Sequence, residues 1–351
     1  EARGVHCATF LNSNVSHEER EERLNAIHKG EKSILYIAPE MLLTTSLETL
    51  LGGRRLGLFV VDEAHTVTSW GRDFRADYWF MGDYLERQRK NGLHFPVLCL
   101  TATAVFGGRD DVVQDTISTL GLNQPILYLG RVRRDNIDFD IHSLDKQTDE
   151  SRDEFKVNHV AQKIAEYVAE GKKTLVYCPF RSTVDSIYQA VPFSVKDKVR
   201  RYHAGMERGE KNAAQDAFKN NKAIVMICTK AFGMGVDVPD IVQVYHYAPT
   251  GNLADYVQEI GRCARDKNLR GTAVEEYLPG DLSQLKRLHG MGELRQFQLR
   301  EMLHKLYWMY SQKKHRNLLV SPDAFSYLFD SGEVENRVKT GLLLLARDLE
   351  E

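Results

Sequence analysis

Short, continuous apolar runs alternate with longer amphipathic stretches along this chain, and the pattern occurs twice. In the first half the runs are "VHCATF", "SILYIAPE", "LGLFVVDEAH" and "PVLCLTATA", each bounded by polar residues or glycine. Unbroken apolar runs of this length suit strands buried on both faces. Between them, "SHEEREERLNAIHKG" and "RADYWFMGDYLERQRKNG" have helical composition and end in basic residues and glycine, a helix stop. The second half repeats the order with "KTLVYCPF", "VRRYHAG", "AIVMICT", "IVQVYHYAP" and "TAVEEYLP" as strands. Its helices are "STVDSIYQAV", "ERGEKNAAQDAFKNN" and "NLADYVQEIGRCARD". Such alternation predicts βαβ units, hence parallel sheets covered by helices. The fold class expected is α/β: two parallel-sheet domains at 1–140 and 141–280, joined by a polar stretch near 141–157. A mainly helical extension at 281–351 follows, read as the start of a winged-helix-like module.

A chain of 351 residues has room for two cores and an extension. With 42% hydrophobic and 27% charged residues it has a globular composition, and no apolar run is long enough to span a bilayer. No membrane partner is expected. A net charge of −2 excludes a uniformly basic nucleic-acid coat. It leaves room for local basic runs such as Arg131, Arg133 and Arg134, or Lys196, Lys198, Arg200 and Arg201. The five cysteines, at 7, 99, 178, 228 and 263, include no C-x-x-C pair, so no zinc site is expected. Cys99, Cys178 and Cys228 sit in apolar runs and read as small hydrophobes of a reduced, cytoplasmic protein.

Asp62 and Glu63 end an apolar strand, and ligand crevices in open parallel sheets lie outside the carboxyl ends of strands. One acid there can hold Mg²⁺ through water, and its neighbour can position or deprotonate an attacking water. Taken alone, the pair reads equally well as helix-capping acids after a core strand. The following "AH", and "TATA" at 101–104 after the next strand, shift the balance toward chemistry.

In order along the chain, "VVDEAH", "LTATA", "YCPFRS", "YHAG", "CTKAFGMGVDVPDI" and "YVQEIGRCARD" resemble the motif series of superfamily 2 helicases. "ILYIAPEML" and "SWGRDFRADY" resemble the RecQ family of ATP-dependent DNA helicases, a DEAH-box group, more than they do the RNA-directed DEAD-box group. The resemblance covers roughly residues 5–280. It implies two RecA-like domains with ATP and Mg²⁺ as cofactors, single-stranded and forked DNA as partners, and 3′-to-5′ movement along one strand. If the source is bacterial, it also implies a nucleoid-associated protein.

Residue by residue, the resemblance makes Asp62 the magnesium carboxylate and Glu63 the residue that activates the hydrolytic water. His65 and Gln258 tie the nucleotide site to the DNA site, with Thr101 and Thr103 in the relay. Gly235 and Asp237 fall at the nucleotide, although relatives often carry Asn at the second position. Arg262 and Arg265 match arginines that reach the γ-phosphate, and their spacing of three places both on one helical face. Trp70, Arg72, Phe74 and Arg75 match an aromatic-rich loop that engages single-stranded DNA, whereas Tyr78, Trp79 and Phe80 read as core rings of a helix. Arg181, Ser182, His203 and Thr229 are placed near DNA. Helix-start solvation serves equally for Arg181, a turn role suits His203 better, and Arg134 matches a family arginine or a solvated linker.

Two family features are missing. No G-x-x-x-x-G-K-[ST] phosphate loop occurs, since "GKKT" at 171–174 precedes a strand and "GEKS" at 30–33 has the wrong spacing. The first domain is therefore expected to be partial and the chain alone inactive as an ATPase. No four-cysteine module follows residue 280; "GLLLLARD" there suggests a buried helix. An RNA helicase or duplex translocase on the same core is the alternative within the class, and a catalytically silent nucleic-acid-binding protein the alternative outside it.

Overall fold

The computed structural model describes residues 6–12, 15–67, 76–104, 106–107, 111–130, 133–145, 151–233, 237–251, 253–266, 268–281, 294–315, 317–329 and 334–348. They fall into two units, residues 1–128 with 292–351, and residues 129–291.

The first unit begins with β1 (Ala8–Leu11), α1 (His17–His28), β2 (Ile34–Ile37), α2 (Met41–Thr44), α3 (Leu47–Leu51) and β3 (Phe59–Val61). After a 3₁₀ turn come α4 (Ala76–Lys90), β4 (Val97–Cys99) and α5 (Val112–Thr119). Helix α1 starts where the sequence supplies a capping box: Ser16 Oγ accepts the Glu19 N–H at 3.2 Å, and the Glu19 carboxylate accepts the Ser16 N–H. β1 pairs with β2 and β3 with β4, both in parallel, with Val61 opposite Cys99. The core gathers Leu11, Leu50, Val61, Ala64, Leu85 and Leu120. Burial on both strand faces, expected from the apolar runs, fails here: Phe10, Tyr36, Val60 and Leu98 are exposed. The reason lies in the pleat. Successive side chains point to opposite faces, and these four alternate with the strand residues that enter the core or pack on it, such as Leu11, Leu35, Ile37, Val61 and Cys99.

The second unit holds β5 (Ile137–Ser143), α6 (Arg152–Ala169), β6 (Thr174–Tyr177), α7 (Arg181–Ala190), β7 (Val199–Tyr202), α8 (Arg208–Lys219), β8 (Val225–Cys228), β9 (Gln243–His246), α9 (Leu253–Ile260) and β10 (Gly271–Tyr277). All six strands are parallel, in the order β5-β10-β9-β6-β8-β7. Every residue of β6, β8 and β9 is buried, so here the two-faced reading holds. Strand β5 straddles the domain boundary expected at 140/141 and lies wholly in this unit. Lys156 of α6 and Asp281, just past β10, form a fully buried ion pair, and Asp281 also accepts the Leu278 N–H at 2.8 Å. Desolvation pushes the Lys156 ammonium pKa down, opposed by Asp281. The five cysteines are free; burial pushes the thiols of Cys178 and Cys228 up.

Residues 294–348 hold α10 (Gln296–Lys313), a 3₁₀ segment (Pro322–Leu328) and α11 (Val334–Asp348). Met302, Phe325, Phe329 and Val338 form their core, with Leu342 and Leu345 of the leucine run packed against it. Among the described residues no helix is long and apolar enough to cross a membrane.

Candidate functional site

In the first unit the β3–β4 pairing fixes the site. The ladder continues past both strand ends, as Leu100 N–H donates to Val61 O and Ala64 N–H to Leu100 O, each at 2.9 Å. This sets "DEAH" beside "TATA". Asp62 and Glu63 are exposed at the carboxyl end of β3. Glu63 has φ +51°, a left-handed conformation that costs a non-glycine residue about 1–3 kcal/mol. Three bonds hold it there. Its N–H donates to Asp62 Oδ1 at 2.9 Å, and its carbonyl accepts Thr66 Oγ1–H at 2.8 Å and Thr66 N–H at 2.9 Å. The Nδ1 of His65 lies 3.4 Å from Glu63 Oε2 and 3.0 Å from Thr101 Oγ1, which also accepts the Thr103 N–H at 3.2 Å. Thr103 Oγ1 is buried without a partner. One exposed carboxylate in a hard-oxygen setting fits Mg²⁺, which commonly keeps several waters and takes one or two carboxylates plus phosphate oxygens. Among the described residues no cluster of three or more His, Cys, Asp or Glu could hold a metal.

The arginine segment of the second unit differs from expectation. Arg262 and Arg265 do not share a helical face, because α9 ends at Ile260. Gly261 follows, Ala264 takes φ +47°, and its N–H donates to Ile241 O at 2.7 Å instead of continuing the helix. The Arg262 guanidinium lies against Gly233, where an added Cβ would come within 2.5 Å of it, and its charge acts on the Tyr177 hydroxyl. That hydroxyl donates to Phe232 O at 3.2 Å, and burial raises its pKa well above the usual phenol range. Arg265 pairs with Asp237 at 3.2 Å. Gln258 lies on α9, whose neighbouring Glu259 contacts buried His246 at 2.8 Å.

The carbonyls of this turn are held from far away in the sequence. Arg134 Nη2 donates to Cys263 O at 2.9 Å and Ala264 O at 2.7 Å. Asn136 Nδ2 donates to Ala264 O and Leu269 O, both at 3.0 Å, and Asn136 Oδ1 accepts from Arg134 Nε at 3.1 Å. Arg134 is thus a clamp on the arginine turn. Asn136 was missed by sequence reasoning; its only signal was its place two residues after Arg134. Arg134→Ala is expected to lower unfolding stability by about 1.5–3 kcal/mol, the usual worth of bonds to a charged group. It should also open the buried Cys263 thiol to alkylation, read by mass spectrometry. Unchanged alkylation and an unchanged denaturation midpoint would show that the turn stands without the clamp.

The parallel strands bring further candidate residues to one rim of the second sheet. Arg181 and Ser182 open α7 after β6, His203 follows β7, and Thr229 follows β8. No side chain caps α7. His203 Nε2 lies 3.2 Å from Asp185 Oδ1, which also pairs with Arg201. His203 Nδ1 is buried without a partner, and Gly205 fits between it and Arg181: an added Cβ would lie 3.2 Å from Nδ1 and 3.5 Å from Arg181 Cδ. Thr229 N–H donates to Tyr202 O at 3.2 Å. Helix start, arginine and imidazole together suit a phosphate oxygen.

Residues 2–109 match the DEAD/DEAH box helicase family, and residues 156–267 the helicase conserved C-terminal domain. The chain is 35% identical over 265 residues to the probable ATP-dependent DNA helicase RecS of Bacillus subtilis (strain 168), covering 76% of this chain and 50% of that protein. To the ATP-dependent DNA helicase RecQ of Pasteurella multocida (strain Pm70) it is 30% identical over 286 residues, covering 80% and 41%. This chain belongs to the RecQ family of superfamily 2 helicases. It spans about half the length, or less, of these curated relatives. The Mycobacterium smegmatis helicase Lhr, solved bound to ssDNA and AMP-PNP, matches with a TM-score of 0.60 at 14% identity over 95% of this chain and 43% of that one. At that identity the likeness speaks for the fold alone. The RecQ-family fold class, two RecA-like α/β domains plus a helical segment, agrees with the architecture above. Of the RecQ-like candidate residues, the structure brings Asp62, Glu63, His65 and Thr101 together in the first unit. Trp70, Arg72, Phe74, Arg75 and Gly235 lie outside the described residues.

Proposed function

We propose that this RecQ-family chain is the motor portion of an ATP-dependent DNA helicase that moves 3′ to 5′ on single-stranded DNA. The observation that supports this most is the joined cluster at the ends of β3 and β4. Glu63 is held in a costly backbone conformation, and its carboxylate shares His65 with Thr101 of the neighbouring strand. A mere helix cap has no use for that strain or for a histidine linking two strand ends.

In this proposal Asp62 holds Mg·ATP through its carboxylate, and the ion would neutralise charge on the phosphates. Glu63 takes a proton from the attacking water. Thr101 lies where a shift of its strand end would move His65 and with it Glu63, which gives the relay a physical path. Arg262 and Arg265 serve the terminal phosphate, Asp237 and Gly235 the remainder of the nucleotide, and Gln258 the link to DNA. Arg181, Ser182, His203 and Thr229 take backbone phosphates. Trp70 and Phe74 stack on bases, and Arg72 and Arg75 take adjacent phosphates.

The choice of DNA over RNA is tested by titrating the 351-residue chain with single-stranded DNA, single-stranded RNA and duplex of equal length at one salt concentration. Tightest binding to single-stranded DNA is expected. RNA binding more tightly would favour the RNA helicase, and preference for duplex the translocase.

A further inference from the structure

Helix α10 lies outside both stretches matched to helicase families. Its inward side is accounted for: Met302 is fully buried, Leu306 packs on the same core, and buried Gln298 donates to Leu328 O at 2.7 Å. The outward side carries rings that this packing does not use. Tyr307 is 71% exposed and Trp308 56%, while Tyr327 of the adjoining 3₁₀ segment is 62% exposed. Exposed rings at this density mark an interaction surface.

The charges say which kind. From Arg295 to Lys314 the helix and its caps carry Arg295, Arg300, Lys305, Lys313 and Lys314 against Glu301, which itself faces His304 at 3.9 Å. Lys305 Nζ stands 5.5 Å from the Trp308 ring centroid and 5.8 Å from that of Tyr327, a cation set between two rings. Lysine is depleted at protein–protein interfaces, where it would have to be desolvated. Rings interleaved with lysines suit a flexible polyanion whose own planar groups can stack, which is single-stranded nucleic acid. From Phe297 to Trp308 the helix rises roughly 16 Å at 1.5 Å per residue. That is the length of about five stacked nucleotides at 3.4 Å each.

We infer that α10 and the neighbouring 3₁₀ segment form an additional contact for single-stranded nucleic acid, with Trp308 and Tyr327 stacking on bases and Lys305, Lys313 and Lys314 taking phosphates. The inference extends the nucleic-acid reading proposed above and rests on it.

The test uses the full 351-residue chain and a thymidine oligomer carrying 5-iododeoxyuridine. Photocrosslinking followed by peptide mass spectrometry should place a crosslink at Tyr307, Trp308 or Tyr327. In anisotropy titrations at fixed salt, Trp308→Ala with Tyr327→Ala should weaken binding about tenfold or more, given the usual worth of a base–ring stack. Trp308→Phe with Tyr327→Phe should stay within about threefold of the parent, because a ring remains. This pair and the crosslink remain informative even if the alanine variant folds poorly. Crosslinks found only elsewhere, with parental affinity in the alanine variant, overturn the inference while leaving the helicase proposal standing. Failure of the parent chain to bind the oligomer at all overturns both. Self-association lost in the alanine variant at unchanged DNA affinity makes the surface a protein contact, and also overturns it.

Discussion

Arg265→Ala is expected to lower ATP turnover at least about a hundredfold, toward the 10³–10⁵ that such arginines contribute to phosphoryl transfer. The measurement requires a chain carrying a family phosphate-loop segment ahead of Glu1, because these 351 residues contain none. The loss should be one of chemistry and not of folding. Arg265 pairs with Asp237 at 3.2 Å, and the two side chains are 37% and 67% exposed. Pairs so exposed contribute roughly 0–1 kcal/mol to stability. The melting temperature and single-stranded DNA affinity of the variant should therefore stay close to those of the parent. Parallel loss of DNA binding and turnover would move Arg265 from the nucleotide to the DNA or to the fold. If Arg265 serves the terminal phosphate as proposed, Asp237 must give it up when the nucleotide binds. Asp237→Ala should consequently spare hydrolysis far better than Arg265→Ala.

Glu63→Gln, in the same phosphate-loop background, should keep Mg·ATP binding and lose about a hundredfold or more of hydrolysis, the scale of general-base catalysis. Glutamine keeps the size and reach of the side chain, and the bonds that hold residue 63 are made by its backbone. The Asp62 carboxylate remains for the metal. Nucleotide affinity and single-turnover hydrolysis, measured separately, distinguish the steps. Turnover within about threefold of the parent would remove Glu63 from the role of water activator and leave its strained backbone without an explanation.

The central strands of the second sheet were legible because burial on both faces selects mostly apolar residues, as in "TLVY" and "VMIC". Strand β5 was not. Its "IDFDIHS" alternates, and Asp138 and Asp140 made an edge strand look like a polar linker. The end of α9 was misread for a different reason. "IGRCARD" has helical composition, but the helix stops at Ile260 and the turn that follows depends on Ala264 at positive φ and on donors in another segment. Arg134 and Ala264 are 130 residues apart, and no local pattern announces such a contact. The acids were legible as chemistry because of where they fall, at the end of a strand. The conformation of Glu63 was not, since Glu has no intrinsic preference for left-handed backbone.

The pairing of β5 with β10 has a consequence for how the protein is made. Among the described residues the first strand of the second unit pairs with one strand, the last, Ile137 opposite Gly271 and Ser143 opposite Tyr277. A nascent chain emerging from the ribosome holds β5 unpaired until the final strand is out, and long-range strand pairing of this kind is slow to close. Throughout that interval both backbone edges of β5 are open, the kind of template on which unfinished chains aggregate. The Arg134 clamp reaches Ala264 from just ahead of β5, so it too waits for that closure. The arginine turn should thus be among the last parts of the unit to take shape, and an incompletely synthesised chain could not present it.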